Sequence, residues 1–255
     1  IHISFVVGLV FIFYSWKKID QSKKNFNTPL IDIILSILVV ISALYLPLLP
    51  PEVLAPRVGN PENIDIIMGS FLIVLTLEAA RRSIGFTLPF ICVLFILFAI
   101  FGPYFPGALK HGGASWVGFV NHIYLTNQGI YGIAVGVMAQ YVFLFILFGV
   151  LATRIGLGQL FIDLAMVIAG KYSGGPAKVA IFSSAFLGTI SGSSIANTVT
   201  TGSLTIPAMK KVGYPPHFSG AVEATASTGG QITPPILGAA AFIMVEYLEV
   251  PLRDI

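Results

Sequence analysis

The stretch from Gly188 to Pro207 places many oxygen-bearing side chains inside an otherwise apolar sequence. The hydroxyl groups belong to Thr189, Ser191, Ser193, Ser194, Thr198, Thr200, Thr201, Ser203 and Thr205, and the amide belongs to Asn197. Gly188, Gly192 and Gly202 loosen the helix, since glycine costs about 1 kcal/mol relative to alanine in a helix interior. Neutral oxygens and freed backbone carbonyls suit a hard cation such as Na⁺. These residues therefore predict a cation site; the alternative is a helix-packing face rich in small residues.

The composition places this stretch in a membrane. The chain has 255 residues, of which 56% are hydrophobic and 10% charged, whereas soluble domains carry about 25% charged residues. Its apolar runs are continuous rather than alternating, which predicts an all-α, polytopic membrane protein. The net charge of +3 does not indicate nucleic-acid binding, because the basic residues lie at helix ends. Cys92 is the only cysteine, which excludes a disulfide framework within the chain.

Several ordinary spans are predicted around the polar stretch. Apolar runs cover residues 1–15, 30–46, 66–80, 84–101 and 133–151. Basic clusters at residues 16–24 and at Arg81 and Arg82 predict the cytoplasmic ends of these spans. Glu78, Arg81 and Arg82 are interpreted as interfacial anchors. The run from Leu157 to Ala169 is too short to span and contains Asp163, so we expect an interfacial helix.

Residues 102–132 form the longest segment between spans, which we expect on the outer face. It contains His111 and His122, eleven residues apart and without a nearby carboxylate or cysteine. This is a weak pattern for a metal site, and it favours exposed loop residues.

The charges around the polar stretch predict a re-entrant hairpin. Lysines flank it on both sides: Lys171 and Lys178 before it, and Lys210 and Lys211 after it. A single crossing would place one of these pairs outside, against the positive-inside rule. A hairpin with its tip at Ser191 to Ser194 keeps both pairs in the cytoplasm. Its first arm, from Pro176 to Leu187, would be roughly 18 Å long, or about half the bilayer.

A discontinuous transmembrane helix is predicted beside this hairpin. It begins at Phe218, breaks within Ser227 to Pro235, and resumes from Ile236 to Tyr247. The two prolines of the break lack a backbone donor and clash with the preceding turn. Glu223 lies in the first part of this helix, and two interpretations stay open. It is either an intramembrane functional carboxylate or an interfacial residue paired with Lys210 or Lys211.

The same residues carry a family resemblance. The runs SGSSIAN (191–197), IPAMKKVGYPP (206–216), GAVEATASTGGQITPP (220–235) and GAAAF (238–242) resemble the large permease subunit of tripartite ATP-independent periplasmic (TRAP) transporters. They are most similar to the fused small-plus-large permease of the TAXI branch. The motif similarity is dense from Thr126 to Ile255, whereas the upstream part is similar to a small subunit only in layout. The resemblance therefore divides the chain into small-permease-like scaffold spans (1–82) and the N-terminal half of the large permease (83–255), with the hairpin at about 176–209 and the broken helix at about 218–248.

The resemblance implies a transporter rather than an enzyme. Members carry out Na⁺-coupled uptake of organic anions, usually carboxylates, delivered by a periplasmic solute-binding protein, and they work by an elevator mechanism. It further implies a multi-pass protein of a bacterial or archaeal inner membrane, in contact with lipid, with Na⁺ as the coupling ion and without an organic cofactor or nucleic acid. Because such transporters build their site from two inverted repeats, we expect this chain to be a fragment that holds the first repeat and cannot transport alone.

The resemblance also assigns roles by position. The Na⁺ contacts are Ser191, Gly192, Ser193, Ser194, Asn197, Thr228 and Gly229. The substrate contacts are Thr189, Thr225, Ser227, Gly230 and Gln231. One position departs from the dicarboxylate and sialic-acid branches, which commonly have Asp where this chain has Asn197. This departure favours the TAXI branch.

Two other functions compete with transport. A polar re-entrant loop also builds channel filters, although a broken helix beside it favours alternating access. An intramembrane serine protease would need a histidine beside the serines, and His217 is predicted at the cytoplasmic turn, away from the hairpin tip. An ATP-driven pump is excluded because SGGPAK (173–178) lacks the spacing of a phosphate-binding loop.

Overall fold

Helices make up the secondary structure of this computed structural model, which describes residues 1–15, 29–235 and 237–255. No strand occurs in those ranges, so the predicted all-α fold is confirmed. The basic cluster predicted within residues 16–24 lies outside the described residues. The chain forms two compact units, Ile1–Val135 and Gly136–Ile255. The division at residue 82, which the family resemblance places between small-permease-like and large-permease-like residues, stays a prediction.

The first unit contains helices at the predicted spans. They are α1 (His2–Phe13), α2 (Leu30–Leu48), α3 (Pro51–Leu54), α4 (Asn63–Ser83), α5 (Thr87–Ile100) and α6 (Trp116–Val120). A capping box begins α4, in which the Asp65 carboxylate accepts from the backbone N–H of Glu62. The largest core cluster includes Leu72 of α4 and Tyr124, and the Tyr124 hydroxyl donates to the Ser42 carbonyl at 2.6 Å.

A buried ion pair joins the cytoplasmic ends predicted for α2 and α4. The Arg82 guanidinium lies 2.7 Å from the Asp32 carboxylate and 2.7 Å from that of Glu78. It also lies over the ring of Phe11 in α1, 4.8 Å from the centroid. The side chains of Arg82 and Asp32 are 4% and 0% exposed. Arg82 was expected to be an interfacial anchor, and the structure shows in addition that it holds three helices together.

Arg82→Gln should destabilise this unit, because it removes the guanidinium that lies 2.7 Å from the buried Asp32 carboxylate. Breaking a buried pair in this way costs about 3–5 kcal/mol. The midpoint of thermal unfolding of the purified protein in detergent measures the loss. Arg81→Gln is the matched control, because the Arg81 side chain is 39% exposed and pairs with Glu78 at the surface. Equal midpoints for the two variants would contradict a structural role for the Asp32–Arg82 pair.

The second unit carries the polar stretch. A helical run from Ile133 to Arg154 leads into it, made of α7 (Ile133–Val137), a π-helical turn (Met138–Val142) and α8 (Phe143–Arg154). The remaining helices are α9 (Leu157–Ala169), α10 (Gly175–Ser191), α11 (Ser194–Lys211), α12 (Pro216–Gly229) and α13 (Ala239–Leu248). The bounds of α9 are those predicted from the sequence.

Three helices in the described ranges are long and apolar enough to cross a membrane, namely Leu30–Leu48, Asn63–Ser83 and Ile133–Arg154. Four further apolar helices are shorter: α1, α5, α9 and α13. Their length and composition indicate a membrane protein, as the sequence predicts.

The polar stretch folds as a helical hairpin. Helices α10 and α11 are joined only by Gly192 and Ser193, so the predicted tip is found where it was expected. The two arms have 17 and 18 residues, or about 26 Å each. The first arm is therefore longer than predicted, because α10 continues past Leu187 to Ser191. Ala165 and Ala169 of α9 pack against Val179 of this arm.

Single cysteines at Lys178 and Lys210 test the re-entrant topology, which stays a prediction. Both side chains are exposed, one near the start of α10 and the other near the end of α11. In a Cys92→Ser background, both cysteines should react with an impermeant maleimide from the cytoplasmic side only. Reaction of either one from the periplasmic side would overturn the predicted re-entrant topology.

Candidate functional site

The hairpin tip is a two-residue turn that depends on Gly192. This residue has φ 56°, and its N–H donates to the Gly188 carbonyl at 3.2 Å. A Cβ at Gly192 would lie 2.0 Å from the Leu237 carbonyl oxygen, so both the backbone angle and the space require glycine. Ser193 then begins α11, because its hydroxyl accepts from the Ala196 N–H at 3.3 Å.

The predicted interruption of the next helix is also present. Helix α12 ends at Gly229, a single 3₁₀ turn covers Gly230–Ile232, and α13 begins only at Ala239. The Gly238 N–H donates to the Gln231 carbonyl at 2.6 Å. This hydrogen bond connects the two ends of the interrupted segment. Ile236, where the second part was expected to begin, lies outside the described residues.

The hairpin and the interruption meet through their backbones. A Cβ at Gly188 of α10 would lie 2.5 Å from the Gly230 Cα. One polar contact fixes this junction, in which the Gln231 amide donates to the Ser194 hydroxyl at 2.8 Å. Within the hairpin, next to Gly230, the Asn197 amide donates to the Ser184 carbonyl at 2.9 Å. The junction thus brings the two discontinuities of this unit together.

A cavity of about 540 Å³ opens beside the junction. Four residues that were predicted as ion or substrate contacts line it: Ser191, Gly192, Ser193 and Gln231. Apolar side chains, including Phe145 and Phe242, form much of the remaining wall. The arrangement offers hydroxyl, amide and backbone groups to a small ligand within an apolar surround, which is typical of a binding pocket.

Other predicted contacts lie elsewhere. Thr225 and Gly229 line a separate groove of about 580 Å³ beside Ile181 and Phe218. The hydroxyl of Thr228 donates to the Ala224 carbonyl at 2.7 Å, and that of Thr189 donates to the Phe186 carbonyl at 2.6 Å. These two hydroxyls bond to their own helices. The structure therefore spreads the predicted contacts over the cavity, this separate groove, the junction and a buried network that includes Ser227.

The buried network is centred on Glu223, which is 0% exposed. One carboxylate oxygen accepts from the hydroxyls of Thr201 and Ser227, the latter at 2.9 Å, and the other oxygen accepts from Thr205. The Ser184 hydroxyl lies 3.4 Å from the first oxygen. Among the described residues Glu223 forms no ion pair, and Lys210 is exposed. The interpretation that pairs Glu223 with Lys210 or Lys211 at the interface is therefore not supported.

Sequence reasoning did not assign the hydroxyl partners of Glu223. A signal was present, because Thr201 and Thr205 are four residues apart on α11, and Glu223 and Ser227 are four residues apart on α12. Residues at this spacing share a helix face. Within the described ranges, no three His, Cys, Asp or Glu side chains group in a way that could hold a metal ion.

A protein-family model matches residues 71–255 of the chain. It describes the DctM component of the tripartite ATP-independent periplasmic transporters. The match covers well over half of the chain, so the chain belongs to this family of transporter permeases. The family resemblance drawn from the hairpin and the interruption is confirmed at this level.

Three curated relatives illustrate the match. The chain is 41% identical over 91 residues to the isethionate TRAP transporter permease protein DctMQ of Oleidesulfovibrio alaskensis, covering 36% of this chain and 14% of the relative. It is 33% identical over 103 residues to the C4-dicarboxylate TRAP transporter large permease protein DctM of Rhodobacter capsulatus, covering 40% and 22%. It is 30% identical over 100 residues to the 2,3-diketo-L-gulonate TRAP transporter large permease protein YiaN of Escherichia coli, covering 39% and 23%. The chain thus spans less than a quarter of the length of these relatives. No solved structure matches the chain.

Gly230→Ala should disrupt the junction, whereas Gly229→Ala should not. A Cβ at Gly230 would lie 2.6 Å from the Asn197 amide nitrogen and 3.2 Å from the Gly188 Cα, but one at Gly229 meets nothing within 4 Å. Overpacking of this kind costs about 1–3 kcal/mol. We expect a lower thermal unfolding midpoint for Gly230→Ala only. Equal behaviour of the two variants would show that the close approach does not hold the junction.

Proposed function

We propose that this DctM-family chain is part of the permease of a secondary transporter that takes up small organic anions, carboxylates above all, together with Na⁺. One observation carries the proposal: the hairpin tip and the helix interruption meet beside a cavity that both of them line. Helix ends and interrupted helices at such a junction are the recurring binding elements of secondary transporters.

The helix ends at the cavity suit both ligands. The N-terminus of α11 presents backbone N–H groups and the positive end of a helix dipole, which favour an anion. Ser191 and the C-terminus of α10 present backbone carbonyls and the negative end, which favour a cation. A carboxylate and a Na⁺ ion can therefore bind beside each other at one tip, which is a physical basis for coupled uptake.

The nature of the substrate follows from charge and size. The names of three relatives refer to isethionate, a C4-dicarboxylate and 2,3-diketo-L-gulonate, all of which are small organic anions. Between residues 155 and 252 the chain has no arginine. A carboxylate substrate would thus be held by backbone N–H groups and hydroxyls rather than by a bidentate guanidinium.

The remaining assignments belong to the same proposal. A periplasmic solute-binding protein delivers the substrate to the permease, which lies in the inner membrane of a bacterium or archaeon. Asn197, in place of the Asp that is common in the dicarboxylate and sialic-acid branches, supports the TAXI branch and its fused permease. Ser191, Gly192 and Ser193 remain the proposed Na⁺ contacts at the tip.

Ser191→Ala and Ser193→Ala should weaken the dependence of uptake on Na⁺. Each removes one oxygen from the tip, worth about 1–2 kcal/mol for a contact of hydrogen-bond strength. The Na⁺ concentration for half-maximal uptake should rise roughly five- to thirtyfold. Uptake of radiolabelled succinate and other small carboxylates is measured in proteoliposomes that contain the intact permease, with its binding protein and a Na⁺ gradient.

Ser203→Ala serves as the control, because Ser203 is exposed on α11 and its hydroxyl donates to the Thr200 carbonyl. An unchanged Na⁺ half-saturation in both tip variants would argue against these contacts. Wild-type uptake without any dependence on Na⁺ would overturn Na⁺ coupling. Flux that does not saturate with substrate would favour a channel.

A further inference from the structure

We propose that Glu223, with the hydroxyls of Ser184, Thr201, Thr205 and Ser227, forms a second Na⁺ site, buried between the hairpin and α12. This site is separate from the Na⁺ contacts at the hairpin tip, since none of its residues lines the tip cavity. The proposal rests on the Na⁺-coupled function proposed above and adds a charged site to it.

The first argument is charge. Glu223 is fully buried, and in the described part of the chain no lysine, arginine or histidine forms an ion pair with it. A carboxylate buried without a counter-charge is costly, and intramembrane carboxylates pair with a cation or mark an ion pathway. A bound Na⁺ ion would neutralise the charge.

The second argument is the number of hydroxyl protons. The single proton of Thr201 faces three possible acceptors: the Asn197 carbonyl at 2.9 Å, the Asn197 amide oxygen at 3.4 Å and the Glu223 carboxylate. The single proton of Thr205 faces the Thr201 carbonyl at 3.0 Å and the same carboxylate. A hydroxyl donates only once. Some of these close oxygen pairs therefore have no proton between them. An added positive charge would relieve this excess of acceptors.

The third argument is the number of oxygens. Two carboxylate oxygens and four hydroxyl oxygens meet in this network. A proton bridges two oxygens, whereas a hard metal cation is coordinated by several oxygens at once. The composition of the network therefore favours Na⁺ over a proton as its occupant.

The network also joins the elements that form the junction. Ser184 belongs to α10, Thr201 and Thr205 to α11, and Glu223 and Ser227 to α12. Gly202 allows the close approach, because a Cβ there would lie 3.0 Å from the Glu223 side chain. A cation held by all three helices would stabilise the hairpin against α12. Binding of Na⁺ would thus favour the packed state of the junction.

Purified intact permease in detergent, with Na⁺ alone as the probe, tests the site without any need for transport. The thermal unfolding midpoint is measured as Na⁺ replaces choline at constant ionic strength, since an ion that binds the folded state raises the midpoint. In Glu223→Gln, the Na⁺ concentration for half-maximal stabilisation should rise roughly a hundredfold, because the charged ligand is lost. In Thr205→Val it should rise roughly fivefold, because one neutral ligand is lost.

Two matched variants control the measurement. Glu246→Gln makes the same change at an exposed position on α13, and Thr200→Val makes the same change on α11 at a residue outside the network. Both should respond to Na⁺ as the wild type does. If Glu223→Gln does not fold, Thr205→Val against Thr200→Val decides the question.

The outcomes separate this proposal from the proposed function. Wild-type Na⁺ stabilisation in Glu223→Gln, or in Thr205→Val, would overturn the buried site and leave Na⁺ coupling at the tip intact. If the wild-type permease takes up substrate with a pH gradient and shows no response to Na⁺, both the buried Na⁺ site and Na⁺ coupling are overturned. If Ser191→Ala and Ser193→Ala keep the Na⁺ response that Glu223→Gln loses, the buried site is supported.

Discussion

The second unit depends on one contact between two glycine backbones. A helix interrupted among apolar side chains leaves N–H and C=O groups that must find partners inside the protein. At the end of α12 these partners come from within the interruption, where Gly238 donates to the Gln231 carbonyl, and from the hairpin, where Ser194 accepts from the Gln231 amide. The contact with Ser194 requires the hairpin to come close to the interruption, and the pairing of Gly188 with Gly230 allows that approach. The cavity is a consequence of this contact, because the two discontinuities that line it meet there.

The buried carboxylates of the two units have different kinds of partner. In the first unit, Asp32 pairs with Arg82, and Asp65 accepts from Arg57 and from the Tyr45 hydroxyl. Such pairs are fixed, since removing one partner leaves a buried charge. In the second unit the carboxylate of Glu223 is surrounded by hydroxyls, which reorient at little cost and can act as donors or acceptors. A fixed pair suits a scaffold, whereas a reorientable shell suits a ligand that binds and leaves.

The sequence predicted the elements of this fold better than their contacts. The lysines on both sides of the polar stretch predicted the hairpin, and the run GGQITPP (229–235) predicted the interruption. Both predictions use residues within or next to the element concerned, so they need no knowledge of the tertiary contacts. The bounds of α9 could also be predicted, since its apolar run begins after Gly156 and ends before Gly170. The length of α10 could not be predicted: the predicted arm ends at Leu187, whereas α10 continues through Gly188, which packs against Gly230.

Contacts that depend on tertiary structure were not predictable in this way. Nothing local distinguishes Gly229 from Gly230, and only the position of α10 decides which of them needs to be a glycine. Asp32 lies near the start of an apolar run, where a charged residue is expected at the end of a span. Only the structure shows that it contacts Arg82, fifty residues later in the chain. The partners of Glu223 lie on three helices, and their convergence follows from the packing of the hairpin on α12.

The hydroxyls of α11 have a consequence for how the chain enters the membrane during synthesis. The hydroxyls of Thr198, Thr201 and Thr205 each lie within hydrogen-bond distance of the carbonyl four residues earlier, at 2.8, 2.9 and 3.0 Å. A helix whose hydroxyls bond to its own backbone can leave the translocation channel before its final neighbours have been made, because those groups carry a partner with them. Glu223 follows in the next helix, and among the described residues its hydroxyl partners lie on α10, α11 and the following turn of α12. Since the chain is made from its N-terminus, α11 precedes α12, and its threonine hydroxyls are available as donors when the Glu223 carboxylate is added.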